Sequence, residues 1–252
     1  VNAPEPRDWD AATYDRVADP MTRWGAAVLD RLPLRGDETV LDAGCGSGRV
    51  TALLAERLPA GRVIALDGSP SMIDQARDRL ARFGDRIAYL VADLGRPIPL
   101  AEPVDAVLST ATFHWVPDHD ALFRHLAAVL RPGGRLVAQC GGAGNIASIL
   151  GVLATIGDGW LGEAHFETPG ATADRLAAAG FDSIECWLTD EPTTFEAGEP
   201  FETYLRTVVL GSHLARMDGD LERDAFVRAV ANGLQEPRID YVRLNILARR
   251  AG

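Results

Sequence analysis

Three glycines in five residues, set between an apolar stretch and a helical one, constrain this chain more than any other feature: Asp42-Ala43-Gly44-Cys45-Gly46-Ser47-Gly48. Ahead of them, Thr39-Val40-Leu41 reads as a short buried strand. Behind them, Val50, Leu53, Leu54 and Leu58 recur at helical spacing until Pro59 stops them. Glycines at a strand-to-helix turn permit positive φ and let a ligand approach the backbone with no Cβ in the way. The spacing departs from the dinucleotide fingerprint, because Arg49 follows Gly48 and no glycine completes G-x-G-x-x-G. A pyrophosphate favours the open helix N-terminus of that fingerprint, and a ligand without phosphate does not depend on it.

The alternation continues down the chain. Arg62–Asp67 is a second strand, and Ser69-Pro70-Ser71 then opens a helix with a hydroxyl cap and proline in the first turn. Strands follow at 86–91 and 104–109. Asp118 caps a helix carrying Leu122, Leu126, Val129 and Leu130, and Arg131-Pro132-Gly133-Gly134 turns into a fifth strand, 135–139. Such β-α-β order calls for a parallel sheet with helices on both faces. Two acids then join Asp42 at strand ends: Asp67, 23 residues after Gly44, and Asp93. An acid at the first of these positions can accept from both hydroxyls of a ribose, and the second can accept from an exocyclic amine. Three acids at one sheet edge matter because open α/β sheets bind ligands there.

Beyond residue 140 the pattern changes. Residues 146–156 read as a nearly all-apolar helix, 172–179 as a helix closed by Gly180, and 183–188 as a strand. Residues 198–234 read as helical and polar-faced, and 238–248 as the last strand. Trp24, Val28 and Leu32 give a helix before the first strand. The expected division is one domain: a helical flap at 1–36, a ligand-binding core at 37–190, a helical cap at 191–236 and a final strand at 237–252.

Composition removes whole classes of chemistry. All 25 basic residues are arginine, so no lysine can hold pyridoxal phosphate, reach a nucleotide γ-phosphate or act as a base. A net charge of −11 argues against nucleic acid or an anionic membrane as partner. Cys45, Cys140 and Cys186 stand at no metal-like spacing and fit a reduced compartment. The first eight residues lack an apolar signal core, and the uncharged stretch 136–157 is broken by glycines, so a cytoplasmic protein without a membrane span is expected.

Taken together, these motifs resemble the class I S-adenosylmethionine-dependent methyltransferases over nearly the whole chain. Leu41–Gly48 resembles their first motif, Asp67-Gly68-Ser69 with Met72 their second, Asp93-Leu94 the adenine contact, and 130–134 the turn before strand five. The resemblance implies a Rossmann-like doubly wound sheet of seven strands, the last antiparallel, with Gly44 and Gly46 against the methionine part of S-adenosyl-L-methionine. It brings in Cys45, Gly48, Ser109 and Thr110 as further cofactor contacts, and Tyr14 and Trp24 as residues that close over the methionine end. Trp9, Tyr14 and Trp24-Gly25, with Ala111–Asp118, are similar to the trans-aconitate methyltransferase group, which esterifies carboxylates.

A carboxylate is ionised at pH 7 and needs positioning donors rather than a base, and arginine's fork suits it. A phenol or hydroxyl acceptor benefits from a base, for which His114 is the first candidate. The competing role for His114 is a histidine at a helix start bonded to backbone. Trp115 either walls the pocket or packs in the core. Within the cap, Tyr204 and Arg206 are the expected substrate contacts, with His213 and Arg216 in the same region. The expectation is a methyl ester made from a small carboxylic acid. The alternatives are O-, N- or C-methylation with His114 as base, a nicotinamide-dependent oxidoreductase, or a non-catalytic binding subunit.

Overall fold

The computed structural model describes residues 19–156 and 158–252. Helix α1 (Asp19–Leu29) precedes β1 (Thr39–Ala43), α2 (Arg49–Glu56), β2 (Arg62–Asp67), α3 (Pro70–Leu80), β3 (Ile87–Val91) and β4 (Val104–Thr110). Then come α4 (His119–Val129), β5 (Leu130–Gly141), α5 (Ala147–Leu153), α6 (Pro169–Ala178) and β6 (Phe181–Asp190). A two-residue strand β7 (Thr193–Thr194) leads to α7 (Glu199–Tyr204), a π-turn (Leu205–Val209), α8 (Gly211–Leu214), α9 (Asp220–Gly233), β8 (Arg238–Ile239) and β9 (Val242–Arg250).

Seven strands form one sheet in the order β3-β2-β1-β4-β5-β9-β6. Neighbours from β3 to β5 pair parallel, and β9 runs antiparallel to both β5 and β6. The order reverses direction at β1, so the carboxyl ends of β1 and β4 open the crevice where ligands bind in such sheets. Strand β1 is buried over its last four residues, the burial of a strand covered on both faces. One apolar cluster packs α4 and α6 against one face, and a second packs α1, α2 and α3 against the other.

Two expectations need correction. The last strand starts at Val242 rather than 238, because Arg238–Ile239 pairs instead with Thr193–Thr194. Between the two, Asp240 turns aside to hold α5, accepting from the Ser148 backbone N–H at 2.9 Å and from its hydroxyl at 2.6 Å. Residues 198–234 are also not simply polar-faced. They break into α7, the π-turn, α8 and α9, and bury Phe201, Tyr204, Leu205, Leu210, Val227 and Val230 in a third apolar cluster with Trp24, Ile149 and Leu153. No single helical period runs through four short segments, so the apolar stripe was not visible as one face. No helix among the described residues is long and apolar enough to cross a membrane.

Candidate active site

The glycine loop hangs from β2 by its backbone. The N–H groups of Gly44 and Cys45 both donate to the Leu66 carbonyl at 2.8 Å, and Gly46 N–H donates to the Asp67 carboxylate at 2.8 Å. The other Asp67 oxygen accepts from Ser69 N–H at 2.9 Å, so the carboxylate is aimed by two amides at the sheet edge. Gly44 has φ +83°, and a Cβ built on it would lie 2.1 Å from Thr112 Oγ1. Gly46, at φ +53°, has nothing among the described residues within 4 Å of that position. The loop therefore presents bare backbone to open space at Gly46, and α2 starts immediately after Gly48.

Asp42 lies beneath this loop, fully buried, with one oxygen accepting from Thr51 Oγ1 at 2.7 Å and the other without a partner. Burial pushes its pKa up to about 7, against the lowering effect of the Thr51 hydrogen bond. A buried carboxylate with an unmet oxygen is costly unless a donor or cation reaches it. In the unliganded chain, Asp42 favours the folded state fully below its ordinary 3.8, and that contribution is lost as the pH rises through about 7. An Asp42→Asn variant is therefore expected to gain stability over the parent as the pH is raised across that window. Urea unfolding of both proteins at pH 5 and pH 8 checks this, and an equal difference at the two pH values would refute it.

The other residues of this edge divide by what they touch. Ser69 caps α3 by accepting from Met72 N–H, and Met72 is buried beneath it, with Gly68 half-buried alongside. Asp93 accepts from Gly95 N–H at 2.7 Å and stands 3.5 Å from Arg96, its side chain still 23% exposed. Cys45 is a buried thiol whose pKa burial drives well up, so it stays protonated. Leu94 packs its side chain into the first core cluster. The buried Ser109 hydroxyl donates to the Ala43 carbonyl at 2.6 Å and ties β4 to β1. Thr110 ends β4 half-buried, and its carbonyl accepts from Thr112 Oγ1 at 3.0 Å.

Past β4 the chain enters a cavity whose envelope, its mouth included, is about 720 Å³, a size ordinary for small-molecule sites. His114, Trp115 and Phe166 form one wall, Ile146 and Leu153 another, and the cap contributes Val208, Val209, Ser212 and His213. Ala111 (φ 57°) and Ile146 (φ 51°) line it in left-handed backbone, a costly state for an isoleucine. Arg243 lies in the same cavity, 3% exposed, its Nε 3.4 Å from Gln139 Oε1 and its guanidinium 4.8 Å above the Trp24 ring.

His114 combines both roles weighed for it. Its Nδ1 accepts from Gly141 N–H at 3.3 Å, so the neutral ring carries its proton on Nε2. The ring lies against Phe166 at 5.9 Å and Trp115 at 4.9 Å. Desolvation, with the charge of Arg243, holds its pKa well below the usual imidazole range. The basic nitrogen is thus engaged with backbone, and the ring is a donor.

Three further expectations change. Trp24 is buried in the cap cluster, donates to Glu191 at 3.2 Å and packs edge-on against Tyr241, so it supports Arg243 from behind. Tyr204 is likewise core, its hydroxyl 2.7 Å from that of Tyr241, which does line the cavity. Arg206 pairs with Asp224, its side chain 39% exposed and away from the cavity, and Arg216 pairs with Asp158 on the surface. A guanidinium on a partly exposed helix meets nearby carboxylates more cheaply than it enters an apolar cavity. Tyr14 lies outside the described residues. His213, in the same cap region, lines the cavity and donates Nε2–H to the Trp160 carbonyl at 3.0 Å. Arg243 was missed altogether, although a charge within the largely apolar run Val242-Arg243-Leu244-Asn245-Ile246 is a visible anomaly.

Comparison with known proteins agrees with this geometry. Residues 40–134 match a family described as a methyltransferase domain. The chain is 33% identical over 268 residues to a trans-aconitate 2-methyltransferase of Methylobacterium radiotolerans, covering 97% of this chain and 99% of that one. A trans-aconitate 2-methyltransferase of Azoarcus sp. is 42% identical over 131 residues, about half of each protein. Among solved structures, a Haemonchus contortus phosphoethanolamine N-methyltransferase in complex with S-adenosylhomocysteine superposes with a TM-score of 0.62 at 20% identity, over 96% of this chain and 56% of that one. That last likeness concerns the fold alone.

Proposed function

The chain belongs to the class I S-adenosylmethionine-dependent methyltransferases, within the trans-aconitate methyltransferase-like group, and we propose that it esterifies a small carboxylic acid. Its cofactor is S-adenosyl-L-methionine, and the loop residues suit that group. Gly46 leaves room at its backbone, Asp67 is pre-aimed by two amides, and Asp42 has a buried oxygen that still lacks a donor. Gly44, Gly46, Asp67 and Asp42 would hold it, with Ser69 and Asp93 completing the edge. Bound there, the cofactor would supply an electrophilic methyl, and because a carboxylate acceptor is already ionised at pH 7, no proton has to be removed from it.

The chain's own residues supply position and dryness. The observation that carries the carboxylate reading is Arg243, a buried guanidinium that lines the same cavity as His114. Arg243 would bind and orient the carboxylate with its fork of N–H donors. His114 would add Nε2–H as a neutral donor, and Trp115 with Phe166 would shut out water. Alignment and exclusion of water account for much of what such a displacement requires. Incubation with S-adenosylmethionine and sets of acids, phenols and amines, read by product mass, tests the proposal. Methyl esters are expected, and methylated phenols or amines with no ester would refute it.

His114 supplies a second test. Losing a general base costs about 10²–10⁴-fold. A His114→Gln variant is expected instead to keep kcat/KM within about tenfold of the parent, because a single neutral hydrogen bond accounts for that much. Its lowered pKa also means that the parent's kcat/KM should show no acidic limb between pH 6 and 8. A loss of about a thousandfold, or a limb near pH 6.5, would reinstate His114 as a base.

A further inference from the structure

A chain of buried polar side chains crosses the sheet beside the cavity. Gln139 on β5 and Asn245 on β9 stand opposite each other in the strand register, and Arg243 lies two residues along the same face of β9. All three are buried, where a polar group is costly unless it is matched. Their hydrogen bonds run in one direction. Asn245 Nδ2 donates to Thr189 Oγ1 at 3.1 Å and to the carbonyls of Arg243 at 3.2 Å and Trp187 at 3.4 Å. Carbonyls only accept. On its other side, Asn245 Oδ1 accepts from Arg31, whose guanidinium only donates. The Asn245 amide therefore has a single orientation. Its Oδ1 also meets Gln139 Nε2, at 2.8 Å, so the nitrogen of Gln139 must be the donor there. That leaves Gln139 Oε1 to accept from Arg243 Nε–H at 3.4 Å, a length that active-site hydrogen bonds often show before substrate tightens them. A flipped Gln139 would set its NH₂ against the guanidinium, donor to donor.

Resting on the esterification reading above, we propose that Gln139 is a positioning residue for Arg243. Asn245 sets its amide, and its Oε1 holds the Nε edge of the guanidinium, while the Trp24 ring, 4.8 Å away, supports the guanidinium from one side. Both are among the partners of Arg243, and neither lines the cavity, so each acts on the acceptor through the arginine. A guanidinium turned about its Nε would still attract a carboxylate but would aim it elsewhere, and in-line displacement depends on that aim. Gln139 also reaches the cavity wall by backbone, its carbonyl accepting from Ala111 N–H at 2.7 Å. A side-chain substitution leaves that bond in place.

The test uses two variants and the acid that the product-mass screen finds esterified fastest. Gln139→Met removes the amide at nearly constant length. It is expected to lower kcat about 10- to 100-fold, with the acceptor KM changed less than about threefold and S-adenosylhomocysteine affinity unchanged. Gln139→Glu keeps an acceptor oxygen at the Nε–H but adds a charge that competes for the cation. There KM should rise at least about tenfold while kcat stays within about threefold. A purely structural role would not split the two variants in opposite senses. Solvent exchange of the Arg243 Nε–H, followed by NMR, reads the tether with no acceptor present, and it should be at least about tenfold faster in Gln139→Met. Unchanged exchange in the folded variant overturns the tether. Faster exchange with kcat unmoved overturns the positioning role and leaves esterification intact. Should Gln139→Met not fold, Gln139→Glu carries the test, and a fall in its kcat with KM unmoved overturns the proposal. A parent that makes no ester from any acid removes the esterification reading and the positioning role with it, whatever the exchange rates.

Discussion

A Gly46→Ala variant is expected to fold, to melt a few degrees below the parent, and to bind S-adenosylhomocysteine at least about 100-fold more weakly. Among the described residues nothing lies within 4 Å of the Cβ that alanine would add, so they leave room for it. The cost to folding is the left-handed backbone, φ +53°, which for a residue with Cβ amounts to about 1–2 kcal/mol. In a domain of this size that lowers Tm by about 2–8 °C. The same Cβ occupies the space beside the Gly46 N–H that fixes Asp67. A ligand lying on this backbone must therefore withdraw or tilt. Gly44→Ala makes the contrast: its Cβ would fall 2.1 Å from Thr112 Oγ1, so stability should drop along with binding. Calorimetric titration beside thermal melting separates the two effects. Unchanged affinity in a folded Gly46→Ala protein would mean that the cofactor does not approach the loop here.

What the sequence made legible is what local spacing controls. The glycine loop, the acids at the ends of β1, β2 and β3, and the Ser69 and Asp118 caps each depend on residues within one turn, and each is found where spacing put it. A strand buried on both faces reads as an apolar run, so β1, β2 and β4 were plain. The acceptor cavity is different in kind. It joins the turn after β4, the start of α5, the π-turn of the cap and β9, segments about 30 to 130 residues apart in sequence, and no local period records which of their side chains meet. Arg206 and Trp24 were natural candidates by type, yet burial decided the matter: Asp224 holds the first outside, and the cap core encloses the second. Arg243 went the other way. Its alternation with Asn245 along β9 puts two buried polar residues on one face of an apolar strand, both bonded to Gln139 on β5, and only the sheet order brings that face to His114.

Replacing Arg243 with methionine is expected to lower kcat/KM by at least about 10²-fold while cofactor binding survives. Methionine nearly matches the buried length of the side chain and keeps apolar contact with Trp24, but it removes the cation and every N–H donor. Breaking a buried, hydrogen-bonded ion pair from one side costs about 3–5 kcal/mol, which is roughly two to four decades of rate. Arg243→Lys should recover only part of this, since a point charge on a flexible stem replaces a planar fork. Retained thermal stabilisation by S-adenosylhomocysteine would show that the glycine loop is intact and that the loss belongs to the acceptor. The histidine supplies a readout that mere misfolding would not move. The charge of Arg243 is one of the causes holding the His114 pKa down, so in Arg243→Met that pKa must rise, shifting the imidazole resonances in an NMR titration toward higher pH. A folded Arg243→Met enzyme that kept its rate on carboxylic acids would remove the guanidinium from acceptor binding, and with it the main support for esterification.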